Sequence, residues 1–234
     1  MNTLPYGIIG NGSVATHFAK YLELLEIPFI IWSRKNDSIP PDKKLKDCRT
    51  IIILISDDSI DSFINSNPSL SKKTLIHFSG SLITSKAIGF HPLMTFSKDL
   101  YTLEEYKTIP FIGSKEKREF TKYFPKLKNR YYVINESQKP LYHALCVLSG
   151  NLTTLLWQKT VSDFESKLDL PSEVLEPYLT QVFKNIKSDP QKALTGPIKR
   201  QDKKTMKSNK RALKSKTWSS IYRLFNRAYQ KELK

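Results

Sequence analysis

Through the first 134 residues, short runs of consecutive apolar side chains alternate with stretches whose apolar residues recur every three or four positions. Tyr6–Gly10, Pro28–Ser33, Thr50–Ser56, Thr74–Phe78, Ala87–Phe90, Pro110–Gly113 and Arg130–Ile134 have strand length and composition. Ile or Leu fills nearly every position of Thr50–Ser56, the pattern of a strand buried on both faces of a parallel sheet. Between the strands, Ser13–Leu25 sets Val14, Phe18, Tyr21, Leu22 and Leu25 on one side of a helix. Asp57–Ile64 and Lys115–Leu127 also read as helical. Such alternation predicts an α/β fold with right-handed crossovers. Past Asn135 the period changes. Tyr142–Trp157 reads as a long apolar helix and Ser172–Ile186 as an amphipathic one, while Asp202 is suited to cap a helix over Asp202–Leu213. Trp218, Ile221, Leu224, Phe225 and Ala228 keep helical spacing to the end. The expected division is an α/β domain over 1–134 and an all-helical domain over 135–234.

The first strand ends in Gly10-Asn11-Gly12-Ser13-Val14-Ala15 and opens directly into the first helix. This G-x-G-x-x-A has a mechanical reason at each position. Gly10 permits the tight turn, Gly12 lets the backbone approach a pyrophosphate, and Ala15 keeps the helix close to the sheet. The helix N-terminus offers free N–H groups and the positive end of its dipole. The pattern predicts a Rossmann-type dinucleotide-binding domain. An NAD site usually has an acid on the ribose hydroxyls after the second strand, but here that strand ends Trp32-Ser33-Arg34-Lys35. Ser33 and Arg34 can pair with a 2′-phosphate, so NADP is the expected cofactor. Ser56, Asp57 and Ser79 end strands and should border the nicotinamide ribose.

Composition narrows the function classes. The 234 residues are 39% hydrophobic and 11% aromatic, enough for a core and against disorder. No apolar run approaches the length of a membrane span, and the opening Met1-Asn2-Thr3-Leu4-Pro5 lacks a leader profile. Cys48 and Cys146 suffice for neither a disulfide scaffold nor a thiolate zinc site, so no metal is expected. A soluble cytoplasmic protein is expected. The 38 Lys and Arg against 22 Asp and Glu give +16, and residues 184–234 hold 16 basic and 3 acidic side chains, or +13 of it. That bias points to anionic company, although Lys on solvated faces explains it as well. No base-reading motif accompanies it, so nucleic acid is not the expected partner.

Several further segments resemble one family. They are Ser56-Asp57-Asp58, His77-Phe78-Ser79-Gly80, Gly89-Phe90-His91-Pro92-Leu93, Tyr142-His143-Ala144 through Asn151, and Leu194-Thr195-Gly196-Pro197-Ile198-Lys199-Arg200-Gln201-Asp202. In this order they resemble the Rossmann-like oxidoreductases whose C-terminal helical half is a domain of unknown function. The resemblance implies wider kinship with pyrroline-5-carboxylate reductase, ketopantoate reductase and prephenate dehydrogenase, nicotinamide enzymes with a helical second domain. Two positions depart from the pattern: Gln201 stands where Gly is expected, and Asn209 where His is expected.

Reduction of C=O or C=N needs a proton donor and a hold on the substrate. His91, beside Pro92 after a short strand, resembles the His-Pro of prephenate dehydrogenases and is a candidate for proton transfer, with a turn histidine as the alternative. His143 lies on the long helix, Gly150 nearly on the same face and Asn151 adjacent; both His143 and Asn151 are candidates. Tyr142 and Lys139 are weaker ones. His17 and His77 read as structural. Arg200, near the helix capped by Asp202, could receive a carboxylate or phosphate. The expected activity is hydride transfer between NADP(H) and a small anionic carbonyl or imine compound. The expected assembly is a homodimer through the helical domain. A sensor or interaction protein that binds NADP without turning it over is the alternative.

Overall fold

The computed structural model describes residues 4–233; Met1–Thr3, read above for a leader, lie outside them. The chain forms two units, Met1–Thr154 and Leu155–Lys234. The first is built on seven short strands: β1 (Tyr6–Ile9), β2 (Phe29–Trp32), β3 (Thr50–Ile53), β4 (Thr74–His77), β5 (Ile88–Pro92), β6 (Phe111–Gly113) and β7 (Tyr131–Val133). Its helices are α1 (Ser13–Leu24), α2 (Pro41–Lys44), α3 (Asp57–Ser66), α4 (Leu103–Thr108), α5 (Lys117–Tyr123) and α6 (Lys139–Cys146). The strands line up as β2-β1-β3-β4-β5-β6-β7.

The first five strands are parallel, as their unbroken apolar runs predict. Alternate residues fill two cores. Ile8, Ile52 and Ile76 face a layer that includes Phe18, Leu22, Phe90 and Phe124. Ile9, Ile51, Ile53 and Leu75 face Ile60, Ile64 and Leu70 on the other side. Burial on both faces is why these strands lack the apolar–polar alternation of a half-exposed sheet.

The far edge departs from uniform parallel crossovers. β5 pairs with β6 antiparallel, and β6 with β7 parallel, so the last two strands run against the first five. Between β5 and β6 the chain forms six-residue α4, opened by a capping box between Thr102 and Glu105, and returns antiparallel. β5 also continues through His91 and Pro92, so His91 is a strand residue rather than a turn residue.

The long apolar helix of the sequence reading is three segments. α6 passes through a π-turn, Val147–Asn151, into α7 (Leu152–Leu168), and the division between units falls within α7. The remaining helices are α8 (Glu176–Ser188), α9 (Gly196–Arg200), α10 (Lys203–Ala212) and α11 (Lys216–Ala228). Pro197 sits in the first turn of α9. Asp202 caps α10 as predicted, accepting from the Thr205 backbone N–H at 3.0 Å and from its hydroxyl at 2.6 Å. Among the described residues no helix is long and apolar enough to cross a membrane. A seven-stranded, mostly parallel sheet with helices, followed by a helical C-terminal region, is the Rossmann-like α/β arrangement predicted from the sequence.

Candidate functional site

The loop between β1 and α1 is shaped by its two glycines. Gly10 has φ +131°, a conformation side chains rarely adopt, and any Cβ there would run into the Leu54 carbonyl of β3's exit. A Cβ on Gly12 would meet nothing, so that glycine faces open space. Gly12 is the N-cap of α1 and offers no side-chain acceptor, so the first N–H groups of the helix stay available to an anion. The first turn also lacks an acid that would oppose one.

This loop forms one wall of a cavity of about 450 Å³ at the carboxyl ends of β1, β3 and β4. Gly10, Asn11, Gly12, Ser13 and Val14 line it from one side, and Ser56, Asp57, Phe78 and Ser79 from the other. Ala15 is buried beneath it in the α1 packing layer. The second wall is tied by hydrogen bonds. Ser79 donates its hydroxyl to Asp57, Ser81 donates to the same carboxylate oxygen at 3.1 Å, and the Ser79 oxygen accepts the Leu82 N–H at 2.9 Å.

Ser33 and Arg34, beyond β2, do not line this cavity. Arg34 is exposed. Ser33 is buried, and its hydroxyl has no partner among the described residues. An unpaired buried hydroxyl costs roughly 1–3 kcal/mol, so it favours a ligand that bonds to it. An acid passed over in the sequence lies close by. Asp37 accepts the Ser33 N–H at 2.9 Å, and the ammonium of Lys44 is paired with its other oxygen. The Lys44 bond first, and the Ser33 bond second, hold its carboxyl below the usual range. The ion pair offsets a charge that would otherwise repel a phosphate.

One residue beyond Ser79, Gly80 forms the floor beneath two imidazoles. A Cβ there would lie 2.9 Å from His143 and 3.1 Å from Nε2 of His91. His91 Nδ1 and the Tyr142 hydroxyl are 2.6 Å apart, with the rings edge to face. Burial pulls His91 down to about 4, reinforced by the neighbouring His143, so it is neutral at physiological pH. Burial, with Cys146 beside it, raises the Tyr142 phenol well above its usual value. Protonated Tyr142 can therefore donate to Nδ1, which leaves the His91 proton on Nε2, beside Gly80. Tyr142, a weaker candidate from the sequence, is the residue that the structure pairs with His91. Its pairing with His91 spans 51 positions and has no local signal.

The other candidates stand apart. Asn151 is exposed at the end of the π-turn and makes no side-chain hydrogen bond among the described residues. Single π-turns inside α-helices occur often at functional sites. Arg200, in the helical unit, is exposed at the end of α9 and forms no ion pair among the described residues. Next to it Gln201 is left-handed, with φ +56°, a physical reason to expect Gly there. Asn209 donates to the Tyr222 hydroxyl at 3.3 Å. His17 and His77 are buried: His17 bridges the Ser97 carbonyl and the Tyr106 hydroxyl, and His77 accepts the Ser79 N–H.

Known structures share this arrangement. A candidate NADP oxidoreductase from Bacteroides fragilis superposes with TM-score 0.78 at 21% identity, over 96% of this chain and 97% of its own. Pyrroline carboxylate reductase from Plasmodium falciparum, solved with NADP bound, gives 0.60 at 15% over 99% and 94%. A reductive aminase from Aspergillus terreus, in complex with NADPH and ethyl levulinate, gives 0.61 at 15% over 99% and 95%. At these identities the likeness is one of fold. No curated protein matches the sequence. Residues 113–229 match the family described as a domain of unknown function, DUF2520. That match takes in half of the chain, and the chain belongs to this family.

Proposed function

We propose that the protein is an NADP-dependent oxidoreductase that transfers a hydride between NADP(H) and a small anionic carbonyl or imine compound. The observation that supports this best is the adjacency of two features in one unit. A cavity walled by the Gly10–Val14 loop ends at Ser79, and the His91–Tyr142 pair begins at Gly80. The fold is shared with NAD(P)-dependent reductases.

In this reading the N–H groups after Gly12 hold the pyrophosphate, with Gly10, Asn11, Ser13, Val14 and Ala15 shaping the loop. The unpaired Ser33 hydroxyl and exposed Arg34 take the 2′-phosphate, and Ser56, Asp57 and Ser79 border the ribose. The nicotinamide, when bound, supplies or accepts the hydride. His91 donates its Nε2 proton to the oxygen or nitrogen of the substrate and regains one from water, while the Tyr142 hydroxyl, bonded to Nδ1, holds the ring in that tautomer. His143, on the same glycine floor, orients the substrate, and Asn151 bonds to it. Arg200, charged and without an ion pair among the described residues, anchors the substrate's negative group. The functional boundary remains 134/135, since no strand follows Val133 among the described residues. Exposed leucines along α6 and α7 support a homodimer through the helical region, and a cytoplasmic setting fits the absence of a membrane-spanning helix among the described residues.

Arg34→Asp tests the cofactor assignment. It should weaken NADPH binding tenfold or more while leaving NADH nearly unchanged, since each charge-assisted contact contributes roughly 1.5–3 kcal/mol. Equal loss for both nucleotides would refute it. Tyr142→Phe keeps the ring and should lower kcat by about a hundredfold with little change in NADPH affinity. A second reading, a sensor or interaction protein that holds NADP, is favoured by Gln201 and Asn209, where the resemblance implies Gly and His. NADPH binding without oxidation by any 2-oxo acid or imine would support that reading.

A further inference from the structure

A second polar cavity, of about 310 Å³, opens beside β4 and β5 and shares no lining residue with the one at the glycine loop. Four lysines line it, Lys73, Lys86, Lys115 and Lys139, against a single acid, Glu136. Among the described residues none of the four has a carboxylate within 4 Å. Lys73 spends its ammonium on the Lys46 and Cys48 carbonyls, and Lys86 on the amide oxygen of Asn65. The cavity is therefore rich in positive charge that no carboxylate pairs with directly among the described residues.

Lys139 is the informative member. It is 6% exposed, and among the described residues its ammonium bonds only to the Leu82 carbonyl. An ammonium taken out of water without a counter-charge is costly. Burial accordingly lowers its proton affinity, against the weaker pull of Glu136 and Asp57. Space around it is kept by Gly89, where a Cβ would come within 3.1 Å of the Lys139 nitrogen and 2.9 Å of the His77 ring. Because His77 Nδ1 accepts the Ser79 N–H at 3.2 Å, its proton sits on Nε2, and this ring nitrogen is a donor beside the lysine. The hydroxyls of Ser85 and Ser114 complete a lining dominated by donors. Lysine stems commonly cover apolar sheet while their heads reach water. Lys139 does not fit that pattern, because its head is buried too.

We infer that this cavity is a binding site for a small dianion, a dicarboxylate or a phosphate ester, with Lys139 as its central counter-charge and Lys86 and Lys115 closing from the rim. The volume suits a compact metabolite. The ligand supplies the negative charge that the buried ammonium lacks. The inference does not depend on nucleotide binding at the glycine loop.

Titration calorimetry on the full chain tests it, with inorganic phosphate and succinate as probes and sodium chloride at matched ionic strength as the reference. Saturable one-to-one binding of at least one dianion is expected. A preference for phosphate would identify the ester class, and a preference for succinate the dicarboxylate class. Lys139→Met, which keeps the apolar stem, should weaken that binding by about tenfold or more. Should this variant fail to fold, the exposed pair Lys86→Met/Lys115→Met decides, with a loss of several-fold expected. NADPH affinity, measured alongside, should stay unchanged in Lys86→Met/Lys115→Met, which separates this site from the proposed nucleotide site. Binding no stronger than that of chloride, or full affinity retained in the lysine variants, would overturn the inference.

Discussion

The two units treat their apolar residues in opposite ways. In the first, Phe90, Tyr106 and Phe124 are almost wholly enclosed, and strand residues on both faces of the sheet are covered. In the second, Leu175 and Met206 are the buried apolar residues among those described, while Tyr178, Phe183, Ile186, Leu224 and Phe225 are between 44% and 63% exposed. The exposure begins before the division, at Leu141, Leu145 and Leu148. A sheet with helices on both sides closes around its own apolar surface. Amphipathic helices leave a stripe that needs a partner surface. The first unit can hold its site geometry by its own packing, whereas the second draws little stability from burial.

The sharpest way to break this contrast is a pair of truncations. Phe124→Ala should cost about 3–5 kcal/mol, because it empties a closed aromatic layer shared with Phe18, Phe90 and Phe120. Phe183→Ala should cost under about 1 kcal/mol in the dilute chain. Urea unfolding reads both. A Phe183→Ala cost that rises with protein concentration would show that a second copy covers the helical surface.

Acid should divide the units next, since His17, His77, His91 and His143 all belong to the first. His77, 1% exposed, is held near 4, first by burial and then by Lys139. Its folded affinity for protons lies below the unfolded value of 6.5, so the unfolded chain binds more protons in between. Stability due to His77 is complete above about pH 6.5 and is lost as pH falls toward 4, by about 3 kcal/mol at most. His91 acts in the same direction. Unfolding free energies at pH 7 and pH 4.5 check the slope, and His77→Gln should flatten it.

The smallest effect sharpens the picture of the helical unit. Gln201→Gly relieves a left-handed residue and should stabilise the chain by about 1 kcal/mol, seen as a rise of a few degrees in melting temperature. No gain would mean that the Gln201 side chain compensates for its backbone.

Much of the first unit was legible because its signals are local. Gly10 and Gly12 announce a turn and an open helix end there, as Asp202 announces a cap in the second unit. The site was legible only in part. His91 could be singled out, but read as a residue after a strand, it gave no hint of Tyr142. Asp37 was overlooked because its influence on Ser33 comes through a bend in the backbone, not through a position in the fingerprint. The π-turn at Val147–Asn151 was invisible, since the apolar period hardly changes across one extra residue in a turn.

Apolar runs, a glycine-bearing bend and helical spacing specify elements through the chemistry of neighbouring residues, and these were enough to establish an α/β unit followed by helices. The reversed direction of β6 and β7, the pairing of His91 with Tyr142, and the enclosure of Lys139 beside His77 and Gly89 were decided by packing. Each joins residues far apart in the chain. Their free energy comes from burial and from hydrogen bonds across the sheet and α6, contacts that exist only once the fold has closed.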